Sequence, residues 1–422
     1  MESQILEETL KIEELKENIT NDPPRRLASI DFIKGLAIIF IILAHTSGAW
    51  FTIEWLFLHG IVYMFLDILG PSLFIFLSAL SVVFSLKRKK GRLPDKVIRN
   101  NIFARGLMLI LVGALINAVL LANEIYPPVY SPLIYWFWNL VILFPLTLWG
   151  WNIIFFLGFS QIFCYYALKL KRVTRLIIGV LIIISSELLR ELIWILKEEG
   201  LLIGIILHFL IDSLENTVTF LPWVSICFIT TVFGEYLYEA MMNGSDEAYK
   251  RLFKIFLTWG IILTVFGIVS GFVIVNGGNI NGHLYRLTEL TTAQNQPFTD
   301  ITGTMKFLIR GTFSNMFYNM GTSLVIIALG FYLTDIKKKD NLLITLIKFY
   351  GLVSLNLFLI HFLFLPLFQQ FYPIWYFPFT CLVYEAFLGF LLYIWKKFGG
   401  YVGTPEWLMG KVLGMGKKNH KT

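Results

Sequence analysis

Apolar residues along this chain gather in runs of about 20, long enough for a helix to cross the ~30 Å of hydrocarbon in a bilayer. The runs fall at roughly 28–48, 61–86, 102–122, 153–169, 174–195, 222–241, 253–275, 311–334, 342–369 and 374–396. They predict an all-α, polytopic membrane bundle of about ten transmembrane helices. The fourth run is short. Residues 131–152, apolar and rich in Trp, read as an interfacial or re-entrant helix, and 201–219 raise the same question. Residues 1–25 make an acidic tail with Glu and Lys at helical spacing, ending near Pro23-Pro24, without the apolar core of a signal peptide. The membrane domain then covers 26–400, and 401–422 form a basic tail.

The polar stretches set the orientation. Lys87, Arg88, Lys89, Lys90, Arg92, Lys96 and Arg99 lie between the second and third runs, and Lys171 and Arg172 between the fourth and fifth. Lys250 and Arg251, then Lys337, Lys338 and Lys339, then Lys396 and Lys397 follow at later alternate loops. The intervening loops are almost free of such residues: 123–152 has none, and 276–308 has only Arg286 and Lys306. Short cytoplasmic loops carry the Lys/Arg excess, so the basic loops and both termini are expected in the cytoplasm of a multi-pass plasma-membrane protein. Trp50, Trp55, Trp136, Trp138, Trp149, Trp151 and Trp194 collect toward the outer side, as an aromatic belt or as a vestibule for a sugar face.

Composition agrees. The 422 residues are 57% hydrophobic and 15% charged, against roughly 25% charged in a soluble domain. The net charge of +7 is explained by loop asymmetry, with no call for nucleic acid. Cys164, Cys227 and Cys381 lie in apolar runs and read as small buried hydrophobes. Neither a zinc-type Cys/His spacing nor a phosphate-binding Gly motif is present, so no metal is expected.

The candidate chemistry begins in the first run, where Asp31, Lys34 and His45 interrupt an otherwise apolar helix. Ionisable groups at membrane depth are costly and usually face the bundle interior. At about 100° per residue, Lys34 and His45 differ by only ~20° around the helix, and Asp31 lies ~40° from His45. The three share one stripe, with Lys34 at the cytosolic mouth and His45 ~16 Å deeper. A ligand with a phosphorylated head and a thin arm, the shape of coenzyme A, suits such a stripe. His45 would then serve as general base on an acceptor hydroxyl or amine, or as a nucleophile forming an acyl-imidazole. The plainer reading is that His45 packs a helix end and Lys34 snorkels to the interface.

The pattern Arg26…Asp31…Lys34-Gly35…His45 resembles the first helix of the transmembrane acyltransferase superfamily, with heparan-α-glucosaminide N-acetyltransferases and their prokaryotic relatives as the nearest type. Asp67-Ile68-Leu69-Gly70-Pro71 through Ser78-Ala79 and Ser81 resembles the second helix. Arg99 and Arg105 leading into Gly113 resemble the entry to the third, Leu221-Pro222-Trp223 a later helix start, and Ser354-Leu355-Asn356…His361 a late helix. The resemblance spans roughly 26–400. It implies transfer of an acyl group, usually acetyl, from cytosolic acyl-CoA (acetyl-CoA) to a carbohydrate or glycolipid on the far side. It makes His45 the catalytic candidate. Lys34, Arg99 and Arg105, with Arg26 and Asp67 beside them, become candidates for holding the acyl-CoA, and Asp31 orients Lys34 or Arg26.

Departures from the pattern matter. Lys34 stands where relatives often have Arg, which keeps the charge but not the bidentate fork. Ala79 replaces a frequent Gly. Some relatives use a later His, which makes His59 a second catalytic candidate. Asn356 and His361 either line the same cavity or pair helices. Glu187, Arg190 and Glu191, at i,i+3 and i,i+4 spacing, read as a structural ion pair. Two other classes stay open: a lipid or glycolipid transporter, and a polytopic glycosyltransferase. Glu54 alone in residues 49–60 counts against the glycosyltransferase, which wants an acidic pair there. The transporter lacks Gly/Pro breaks at matched places in two halves. A homodimer is compatible with all of these.

Overall fold

The computed structural model describes residues 27–52, 68–124, 148–212, 218–275, 304–368 and 371–400, with a few isolated positions beyond. The described chain is a helical membrane bundle. In order it comprises α1 (Ala28–Trp50), α2 (Leu73–Lys89), α3 (Asp95–Glu124), α4 (Ile153–Ala167), α5 (Arg172–Glu198), the short α6 (Leu202–Leu207), α7 (Phe220–Asn243), α8 (Asp246–Ser270), α9 (Phe313–Phe331), α10 (Leu342–Leu352), α11 (Ser354–Phe364) and α12 (Phe377–Gly399). Two-residue strands, Ile274–Val275 and Thr304–Met305, pair antiparallel between α8 and α9.

Seven of these helices are long and apolar enough to cross a membrane, and α10 with α11 makes an eighth if that bent pair counts as one span. The remaining two expected spans differ for distinct reasons. The 15 residues of α4 reach only ~22 Å. α5 is 27 residues long but carries Glu187, Arg190 and Glu191 in its C-terminal half. The expected single span over 342–369 is broken: α10 and α11 meet at 80° around Val353. The ambiguous stretch 201–219 holds only α6 and a π-type turn, His208–Asp212, in its described part.

Helix ends follow from local residues. Asn152, Ser245, Thr312 and Asn341 each accept the backbone N–H three residues on, capping α4, α8, α9 and α10. Gly244, in the left-handed region at φ 66°, stops α7 and lets Ser245 start α8 at once.

α1 lies at the centre, against α10, α9, α11 and α12. Its tightest neighbour is α10. A Cβ on Gly35 would strike the carbonyl of Ile347, and one on Gly351 the carbonyl of Asp31, so the two backbones touch. Without a hydrophobic force between helices in lipid, such small-residue contacts let dispersion hold the pair. Gly260 and Gly321 do the same between α8 and α9. The second expected span contains a break at Ile68–Ser72: Gly70 is non-helical (φ −91°, ψ −111°) and Pro71 has no N–H to continue the ladder.

Trp50 and Trp151 do not stand in a lipid-facing belt. They are 4% and 2% exposed, and their indole N–H groups donate to Leu365 O and Leu210 O, both at 2.8 Å. Indole is at home inside a bundle when its one donor finds a carbonyl. Trp55, Trp136 and Trp138 lie outside the described residues.

Candidate functional site

His45 sits a little over one turn from the C-terminal end of α1, partly enclosed by α11. Its ring centroid is 5.3 Å from that of His361 and 5.1 Å from that of Phe362. His361 is fully buried. Its Nδ1 lies 3.1 Å from Leu357 O. A carbonyl only accepts, so this bond puts the proton on Nδ1 and the lone pair on Nε2. Nε2 is buried and has no hydrogen-bond partner among the described residues. An orphaned buried acceptor calls for an explanation.

The backbone around the pair is fixed. Tyr384 Oη of α12 donates to His361 O at 2.5 Å. Trp50 O takes the N–H groups of Phe371 and Tyr372, at 3.0 and 2.9 Å, and Thr52 N–H returns to Tyr372 O at 3.1 Å. The C-terminal end of α1 is therefore clamped to the α11–α12 connection, which holds the two imidazoles in register.

The N-terminal end of the same helix is also held. Ser29 N–H donates to Asp335 Oδ2 at 3.1 Å, an acid at a helix start where its charge meets the positive end of the dipole. Asp31 and Lys34 are partly buried there, each with interactions of its own. The stripe of Asp31, Lys34 and His45 thus runs from a pinned N-terminal end to the imidazole pair.

Not all the expected partners join it. Arg99 and Arg105 are exposed on α3, which packs chiefly on α4 and not on the helix of Lys34. Arg26, His59 and Asp67 lie outside the described residues. Asn356 is buried on α11, one and a half turns before His361. Glu187 pairs across helices: its Oε2 is 2.8 Å from Lys306 Nζ, and Oε1 accepts Phe313 N–H at 2.5 Å. It tethers α5 to the start of α9, a different ion pair from the intrahelical one its spacing suggests.

A second charge cluster escaped the sequence reading. Glu235 of α7 accepts Lys87 Nζ at 2.9 Å, Arg172 Nε at 2.7 Å and Arg175 Nη2 at 2.6 Å. Arg172 also bonds Glu239. At the start of α5, partial burial lowers the Arg172 pKa, and the two carboxylates outweigh it and raise the guanidinium above its ordinary value. The signal was present: Glu235 is an acid inside an apolar run, which membrane depth alone does not tolerate without a partner. Asp335 was missed because nothing local marks it as a cap for a helix far away in sequence. Among the described residues no group of three or more His, Cys, Asp or Glu is placed to hold a metal ion.

Residues 26–270 match the family model described as heparan-alpha-glucosaminide N-acetyltransferase, catalytic. No curated protein matches the chain. The matched stretch holds α1 with Asp31, Lys34 and His45, whereas His361 lies beyond it. It covers more than half of the 422 residues, and the chain belongs to the heparan-α-glucosaminide N-acetyltransferase catalytic family of membrane acetyltransferases.

Proposed function

We propose that this protein takes an acyl group, acetyl in the first instance, from cytosolic acyl-CoA and delivers it to a hydroxyl or amine of a sugar or glycolipid at the extracytoplasmic side. The observation that carries the reading is the imidazole pair, His45 with His361, at the outer end of a stripe whose inner end holds Lys34. The ~16 Å along the helix between Lys34 and His45 suits a pantetheine arm. The phosphorylated head stays near Lys34 in cytosolic water, with both termini and the basic loops on that side, and the thioester reaches the imidazoles.

Two routes fit this arrangement. In one, the acceptor hydroxyl or amine gives its proton to an imidazole as it attacks the thioester carbonyl; the C–S bond breaks and the CoA thiolate takes the proton. In the other, His45 attacks first through its lone-pair nitrogen, the C–S bond breaks, and the proton on its other nitrogen passes to the departing thiolate; the acceptor then displaces the acyl group and returns its proton to the imidazole. In both, the lone pair on His361 Nε2 supports a base beside His45.

The test is purified protein with labelled acetyl-CoA, which should be hydrolysed slowly or should label the protein. Lys34→Ala should raise the KM for acetyl-CoA more than it lowers kcat, since a charge at the mouth binds substrate and transition state alike. No turnover by the native protein would remove the enzymatic reading, and an unchanged KM would remove Lys34 from the donor site.

A further inference from the structure

α10 is seated on α1 at Gly351, so the 80° turn around Val353 decides where α11 carries His361. Both arms of that bend are tied to one neighbour. Tyr350 Oη of α10 donates to Glu385 O of α12 at 2.6 Å. Tyr384 Oη of α12 donates to His361 O of α11 at 2.5 Å. The two anchor points are adjacent residues, so one short stretch of α12 braces both sides of the bend. Gly389 leaves room for the first tie, since a Cβ there would strike the Tyr350 hydroxyl. Both tyrosines are buried, whereas Leu382, Val383, Phe387 and Phe390 of the same helix are exposed.

The carbonyl that Tyr384 takes is one that needs a donor. The last four carbonyls of a helix have no intrahelical partner. In α11 these are the carbonyls of His361 to Phe364, and Pro366, just beyond, has no N–H to offer. The Tyr384 hydroxyl satisfies the first of them. Trp50 serves the next turn by donating to Leu365 O at 2.8 Å. The rings of Trp50 and Tyr384 touch, with centroids 4.6 Å apart, and Trp50 follows His45 by little more than one turn of α1. One phenol therefore bonds the backbone under one imidazole and packs on the helix end that bears the other.

The His361 ring takes its direction from its own contact, Nδ1 to Leu357 O at 3.1 Å. That contact lies within α11 and moves with it. The place of the ring relative to His45 depends on what holds the helix.

We propose that Tyr384 is a positioning residue of the imidazole pair: by taking His361 O, its hydroxyl holds α11 at the angle that keeps His361 beside His45. This rests on the acyltransferase reading and adds to it a residue that acts through His361 and not on the substrate.

The experiment follows thiol release from acetyl-CoA by the purified full chain in four forms: native, Tyr384→Phe, His361→Ala and the double variant. Tyr384→Phe keeps the ring against Trp50 and removes only the O–H. It should lower kcat by about tenfold, because a small displacement of a reacting group costs that much or more. The KM for acetyl-CoA should stay within about twofold, as for a change felt only in the transition state. In the His361→Ala background the same change should cost less than about twofold, since coupled residues are not additive. Native kcat in Tyr384→Phe overturns the proposal. An equal loss in both backgrounds also overturns it, by showing a merely structural tie. If Tyr384→Phe does not fold, Trp50→Phe, which removes the neighbouring bond to Leu365 O, goes through the same cycle and the same outcomes decide. No thiol release by the native protein removes the acyltransferase reading and the positioning role together, whereas a native rate in the variant removes the positioning role alone.

Discussion

The ring of His45 on α1 lies 5.3 Å, centroid to centroid, from the ring of His361 on α11. Two helices from opposite ends of the sequence thus meet at an imidazole pair, and the second member keeps an unpaired nitrogen among the described residues. If that nitrogen serves as base, His361→Ala should lower kcat by about 100-fold, within the usual range for general acid–base catalysis, and barely move the KM for acetyl-CoA. Steady-state kinetics check this. A variant with native kcat would reduce His361 to a packing group.

The pair depends on how closely α1 can approach α10. At Gly351 any side chain meets the carbonyl of Asp31. Gly351→Ala should therefore force the two helices apart and destabilise the protein by about 1–3 kcal/mol, as overpacking does. Thermal unfolding in detergent measures it, and an unchanged midpoint would mean that the contact yields more easily than two facing backbones should.

The charge cluster on α7 makes a separate prediction. Arg175 is 1% exposed and its Nη2 leans on Glu235. Glu235→Gln keeps the shape but leaves that guanidinium without its counter-charge, a loss of about 3–5 kcal/mol for a broken buried pair. The thermal midpoint should fall and should recover in part when Arg175→Met is added. A native midpoint in the single variant would show that Lys87 and Arg172 are solvated well enough to make the cluster dispensable.

The stripe on α1 was legible in the sequence because helical periodicity relates residues on one helix. The partners on other helices were not. His361 stood in the sequence only as a residue that either lines the cavity or pairs helices, without its distance to His45, and nothing local tells Ser29 that Asp335 will cap it. The run over 342–369 is predominantly apolar and has no Pro at Val353, so its composition hides the 80° bend. The basic residues Arg99 and Arg105 read equally well as donor-site residues and as cytosolic anchors. Their exposure on α3, away from α1, favours the anchors. Trp50 looked like a belt residue because hydropathy does not register the carbonyl of Leu365 that receives its N–H.

The central claim is that the acyl group is handled at His45. Its most direct test is the rate of thiol release from acetyl-CoA by the purified native protein and by His45→Ala, both shown to be folded by equal thermal midpoints. The account predicts that the substitution removes about 100-fold or more of the rate. Equal rates in the two proteins would contradict it.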